Sequence, residues 1–118
     1  MALQRLRPDE RLRRPQDYLR CYRKGRRRSG RLLLIYSLED PASSSARFGL
    51  TASRKVGGAV VRNRLKRRVR ELFRCSSWRD SWRGFDVVVH FQPAARSASF
   101  AELREELAPV LTRRPVRR

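Results

Sequence analysis

The chain has 118 residues and a formal net charge of +19, from 30 Lys and Arg against 11 Asp and Glu, with 40% hydrophobic residues. That length suits one domain with a modest core, and that charge favours nucleic acid or an anionic membrane surface as partner. No apolar run approaches the roughly 18 residues of a membrane span, no signal-peptide core opens the chain, and Cys21, Cys75 and His90 are too few for a structural zinc set. A cytoplasmic protein with reduced thiols, no metal site and no membrane contact is expected.

In chain order, residues 1–13 and 113–118 are basic and aperiodic and read as flexible arms around a domain at 14–112. "RPQDYLRCYRKG" predicts a short helix, with Pro15 near its start, Tyr18, Cys21 and Tyr22 along one side, and Gly25 at its end. "LLLIYSL", residues 32–38, predicts a strand buried on both faces. After the loop "EDPASSSA", "RFGLTAS" alternates, with Phe48, Leu50 and Ala52 on one face and Arg47, Gly49, Thr51 and Ser53 on the other, so a hairpin or meander is expected.

Between about Gly58 and Cys75 the period becomes helical. Val61, Leu65, Val69, Leu72 and Phe73 share a narrow stripe, and Arg62, Arg64, Lys66, Arg67, Arg68, Arg70 and Arg74 wrap the rest. "FDVVVHF", residues 85–91, returns to alternation with Phe85, Val87, Val89 and Phe91 inward. "SFAELREEL" opens with a capping-box spacing, Ser99 to Glu102, and carries Phe100, Leu103 and Leu107 on one face. The whole predicts an α+β class, a small single-domain α/β sandwich in the order αββαβα.

The segment 49–74 holds nine Lys and Arg against one Glu. Like charges at helical spacing repel, so such crowding calls for a polyanion or a fully solvated face. Phosphate neutralisation with counterion release favours the polyanion, and Asn63 adds a donor and an acceptor among the cations. Gly57 and Gly58 serve as turn residues or let phosphate approach the helix start. Tyr18, Tyr22 and Tyr36 form either an aromatic core cluster or a stacking platform for unpaired bases. The acidic Glu102, Glu105 and Glu106 predict that the last helix faces away from the polyanion. His90 reads as an ordinary strand histidine, and no set of acid–base partners marks the chain as a nuclease on its own.

"RKVGGAVVRNRLKRRVRE", residues 54–71, closely resembles the signature of the bacterial ribonuclease P protein component, with Arg62, Asn63 and Arg64 as its central Arg-Asn-Arg element. "DYLRCYRKG", "RFGLTASRK", "DVVVHFQPAAR" and the terminal Leu-spaced helix extend the resemblance over about residues 12–112. It implies a sandwich whose basic helix lies in a left-handed β-α-β crossover. It also implies a subunit of an endoribonuclease that binds a catalytic RNA and the 5′ leader of precursor tRNA, with the catalytic centre and its Mg2+ in the RNA and no catalytic residue in the protein.

By position, the resemblance assigns Arg54, Lys55, Arg62, Asn63, Arg64, Lys66, Arg67 and Arg70 to RNA binding, and Tyr18, Tyr22, Tyr36, Thr51 and Ser53 to a leader-binding cleft. No protein partner is evident. The first helix carries Tyr where the family often has Phe, and Pro109 removes a backbone donor, which predicts an interruption of the final helix. Composition and charge alone fit a ribosomal protein equally well; only the ordered signature and the cleft separate the two. A helix-turn-helix DNA binder fits less well, since no second helix pairs with 58–75 across a short turn.

Overall fold

The structure, a computed structural model, describes residues 7–115. Four strands form one sheet in the order β1-β2-β4-β3, with β1 Arg26–Ser29, β2 Leu33–Glu39, β3 Arg47–Ala52 and β4 Phe85–Phe91. Helices α1 Pro15–Lys24, α2 Ala59–Arg74, the single turn α3 Trp78–Ser81 and α4 Phe100–Thr112 complete the chain.

The apolar stripe of α2 explains where that helix sits. Leu65, Val69, Leu72 and Phe73 join Leu103, Leu107, Val110 and Leu111 of α4 over one face of the sheet, against Ile35, Phe48, Val87, Val89 and Phe91. Phe73 stacks on Phe48 at 4.4 Å between ring centroids, and Trp78 meets both edge-on. The opposite face is covered by α1, where Cys21, Leu12 and Val88 form a smaller cluster with Tyr18, Tyr22, Tyr36 and Leu38. This is the expected sandwich with two additions, β1 and α3.

Strand β1, "RRRS", has no apolar alternation and is exposed throughout; it is a strand because it pairs antiparallel with β2. The expected hairpin between β2 and β3 does not form. β4 inserts between them, antiparallel to β2 and parallel to β3, so β3 and β4 are joined by a crossover that contains α2. Parallel neighbours need such a long connection, which a hairpin cannot supply.

The N-terminal arm is shorter than its composition suggests. Pro8–Glu10 forms a 3-10 turn, Leu12 donates its backbone N–H to Phe48 at 2.8 Å, and Glu10 is buried against Arg79 at 2.9 Å. A buried carboxylate is tolerated because that guanidinium and the Arg7 backbone N–H satisfy it. Residues 1–6 and 116–118, the remainder of the predicted arms, lie outside the described residues.

Pro109 does not interrupt α4, which runs through it to Thr112. Leu107 before it and Val110 and Leu111 after it are buried, and Trp82 Nε1 donates to the Arg113 carbonyl just beyond at 2.8 Å. Packing on both sides outweighs the missing donor. The predicted capping box is present, with Ser99 and Glu102 bonding each other's backbone N–H.

Candidate nucleic-acid interface

Helix α2 begins at Gly58 without a side-chain cap and has no acidic residue in its first turn. The positive end of its dipole is therefore left uncompensated. Gly57 takes φ +152°, where a side chain would be strained and a Cβ would press on Val61 at 3.1 Å. Arg54 and Lys55 sit exposed in the turn that leads to the helix, anchored by the buried Val56.

Asn63, Arg64 and Arg67 of α2 are exposed, and Arg62, Lys66 and Arg70 are partly so, with Arg62 at the edge of the apolar stripe and its Nε buried. Among the described residues none of these cations forms an ion pair, whereas Arg74 pairs with Glu71 within the same helix. Arg64 and Arg68 each donate at 3.3 Å to a backbone carbonyl, of Arg96 and Ala98, which fixes their stems against the turn before α4. Val60 stands 81% exposed beside them. The predicted basic residues thus form one surface, held in place by a stripe that does not depend on them.

Two acids of α4, Glu102 and Glu106, are occupied elsewhere. Glu102 pairs with Arg31 at 2.9 Å, and Glu106 accepts the backbone N–H groups of Leu32 at 2.9 Å and Leu33 at 2.6 Å. Their role is to bind the β1–β2 turn to the helix.

A second surface lies between α1 and the sheet. Tyr18 covers Gly49, where a Cβ would run into its ring, and Tyr22 meets Tyr36 edge-on at 4.8 Å between centroids. The Tyr22 hydroxyl lies 3.0 Å from Thr51 Oγ1. Tyr18, Tyr22, Tyr36 and Thr51 therefore converge, while Ser53 follows beyond the end of β3, exposed and next to Arg54. Burial raises the pKa of both Tyr18 and Tyr22; for Tyr18 the Arg70 charge acts in the opposite direction. The cleft residues Thr51 and Ser53 at the end of β3 run directly into Arg54 and Lys55 at the approach to α2, so the two surfaces adjoin there.

Sequence reasoning passed over two groups here. His90 is half-buried on the cleft floor, with Nδ1 2.7 Å from Thr51 Oγ1, and burial lowers its pKa. Alternation did place His90 opposite Val89, but only the insertion of β4 beside β3 brings it to Thr51. The other is Asp86, fully buried, which accepts two bonds from Arg47 at 2.9 and 2.8 Å and one from Arg20 at 3.1 Å. This bidentate pair raises the pKa of Arg47, chiefly through the Asp86 hydrogen bonds. Because Arg20 belongs to α1, the network ties the tyrosine-bearing helix to β3 and β4.

Among the described residues no group of three His, Cys, Asp or Glu side chains converges to hold a metal ion, and no helix is long and apolar enough to cross a membrane. The arrangement offers phosphate contacts and base-stacking faces.

A family model for ribonuclease P matches residues 6–114. The ribonuclease P protein component of Acidothermus cellulolyticus is 41% identical over 104 residues, covering 87% of this chain and 86% of that protein. That of Brucella suis is 36% identical over 116 residues, covering 92% and 82%. The solved RNase P protein of Thermotoga maritima superposes with TM-score 0.76 at 31% identity, covering 91% of this chain and 99% of that one. The Staphylococcus aureus protein does so with TM-score 0.77 at 27% identity, covering 86% and 92%. The fold, the basic helix and these relatives together establish that the chain belongs to the ribonuclease P protein family.

Proposed function

We propose that this chain is the protein subunit of a ribonuclease P ribonucleoprotein, that its α2 surface binds the catalytic RNA, and that the cleft beside α1 binds the 5′ leader of precursor tRNA. The observation that carries this reading is the pairing of two adjoining surfaces of different chemistry. One is a helix on which Arg62, Arg64, Lys66, Arg67 and Arg70 have no carboxylate partner among the described residues; the other is a cleft of tyrosine faces and hydroxyls. Duplex phosphate is met by the first kind, and unpaired bases are stacked and hydrogen-bonded by the second.

On this reading Arg62, Arg64, Lys66, Arg67 and Arg70, with Arg54 and Lys55 at the approach, neutralise RNA phosphates, and Asn63 offers an amide to a sugar or base edge. Tyr18, Tyr22 and Tyr36 present ring surface, and Thr51 and Ser53 present hydroxyls. Holding the leader beside the catalytic RNA places the scissile phosphodiester without chemistry from the protein. The catalytic RNA, not this chain, would hold the magnesium ions, which would supply the charge that activates water at the 5′ cleavage site. A cytoplasmic location belongs to the same proposal.

Single variants separate the two surfaces. Arg62→Ala and Arg64→Ala weaken binding to the catalytic RNA, whereas Tyr22→Ala weakens the holoenzyme's binding of leader-bearing precursor and spares leaderless tRNA. Equal loss with and without a leader for Tyr22→Ala would remove the cleft assignment.

A further inference from the structure

The strand register arranges the open part of the sheet face into rows. Thr51 of β3, His90 of β4, Leu34 of β2 and Ser29 of β1 are successive partners. Directly paired residues share a face, so these four lie side by side across the sheet. The adjacent row is Gly49, Val88, Tyr36 and Arg27, and its Gly49–Val88 end is roofed by α1 through Tyr18 and Cys21. Arg27 Nε donates to Ser29 Oγ at 3.3 Å, as expected for residues two apart on one face of a strand. The line from Thr51 to β1 spans three strand spacings, about 14 Å.

The middle of this line holds a chain of hydrogen bonds that can run either way. With Tyr22 donating to Thr51 and Thr51 donating to His90 Nδ1, the imidazole carries its proton on Nε2 and offers a donor. With His90 Nδ1–H donating to Thr51 and Thr51 donating to Tyr22, the neutral imidazole offers Nε2 as an acceptor and the Tyr22 O–H is free to donate. Either way, a hydrogen-bonding group stands beside the apolar surface of Leu34 and Tyr36, which is what recognition of an unpaired base requires. At the rim, Arg27 is exposed and, among the described residues, pairs with no carboxylate.

We propose that the single-strand cleft continues across the whole sheet, with His90 hydrogen-bonding a base edge at its middle and Arg27 neutralising a phosphate at its β1 rim. The proposal rests on the cleft reading above and extends it to a longer single strand. Arg27 otherwise has only the role of a charged guard on an edge strand.

His90 is the only histidine in the chain, so its ring resonances report one residue. The test combines nitrogen-15 spectra of the free protein, with and without an eight-nucleotide single-stranded RNA, and holoenzyme affinities for precursors with two-nucleotide, eight-nucleotide and no leaders. The expected result is a shift of the His90 ring signals on adding RNA. His90→Ala should weaken both leader-bearing precursors by about 3- to 10-fold, the worth of one hydrogen bond. Arg27→Gln should weaken only the eight-nucleotide leader, by about threefold, and leaderless tRNA should bind all variants alike. An unmoved ring signal, or unchanged long-leader affinity in both variants while Tyr22→Ala still weakens it, would overturn the extension and keep the cleft. Loss of the Tyr22→Ala effect as well would overturn the cleft itself. The wild-type ring signal decides the matter even if a His90 variant fails to fold.

Discussion

Replacing Arg62 and Arg64 together with Ala should flatten the salt dependence of RNA binding by a calculable amount. About six phosphate contacts from the cations of α2 and its approach give a slope of log affinity against log salt of about −5.4, at roughly −0.9 per contact. Raising monovalent salt fourfold, from 50 to 200 mM, then costs about 2000-fold in affinity. Removing two contacts lowers the slope to about −3.6 and the loss to about 150-fold. Neither Arg62 nor Arg64 belongs to the buried stripe of Leu65, Val69, Leu72 and Phe73, so the double variant should keep its fold, which circular dichroism checks. The assay is a titration of labelled catalytic RNA with protein at several potassium chloride concentrations and fixed magnesium. A double variant with the wild-type slope, or a wild-type slope shallower than about −2, would refute the assignment of phosphate contacts to this surface.

Three other outcomes follow from the packing. Asp86→Ala leaves Arg47 and Arg20 without their shared carboxylate and should destabilise the domain by about 3 kcal/mol, read by urea denaturation. Because Arg20 anchors α1, the same variant should also weaken leader-dependent binding. Cys21 is buried and its thiol pKa is pushed up to about 12, by burial first and the nearby Asp86 charge second. A thiol reagent at pH 8 should therefore modify one cysteine, the exposed Cys75, and reach the second only in denaturant. Gly57→Ala forces a side chain into a left-handed conformation against Val61 and should cost about 1–3 kcal/mol, measured by thermal unfolding.

Elements whose stability is local could be read directly from the sequence. The stripe from Val61 to Phe73 specified α2 to within a residue or two, the alternation in 85–91 matched β4, and Ser99 with Glu102 marked the start of α4. What escaped depends on distant partners. "RRRS" becomes a strand only because β2 offers it an edge, and Glu10 becomes a core residue only because Arg79 lies 69 positions away to neutralise it. The same distinction applies to the candidate site. Its basic residues lie within one helix and its approach, so they were found together. The tyrosines stood out by type and spacing with a core cluster as the alternative, and the family resemblance assigned them to a cleft, whereas His90 reaches Thr51 only through a strand order that periodicity does not encode.

Cleavage of a precursor tRNA at low magnesium by a bacterial ribonuclease P RNA, with and without this protein, tests the central claim most directly. The account predicts that the protein stimulates correct 5′ cleavage and is inert without the RNA. A protein that leaves the RNA's cleavage rate unchanged while binding ribosomal RNA tightly, or one that cleaves precursor on its own, would contradict it.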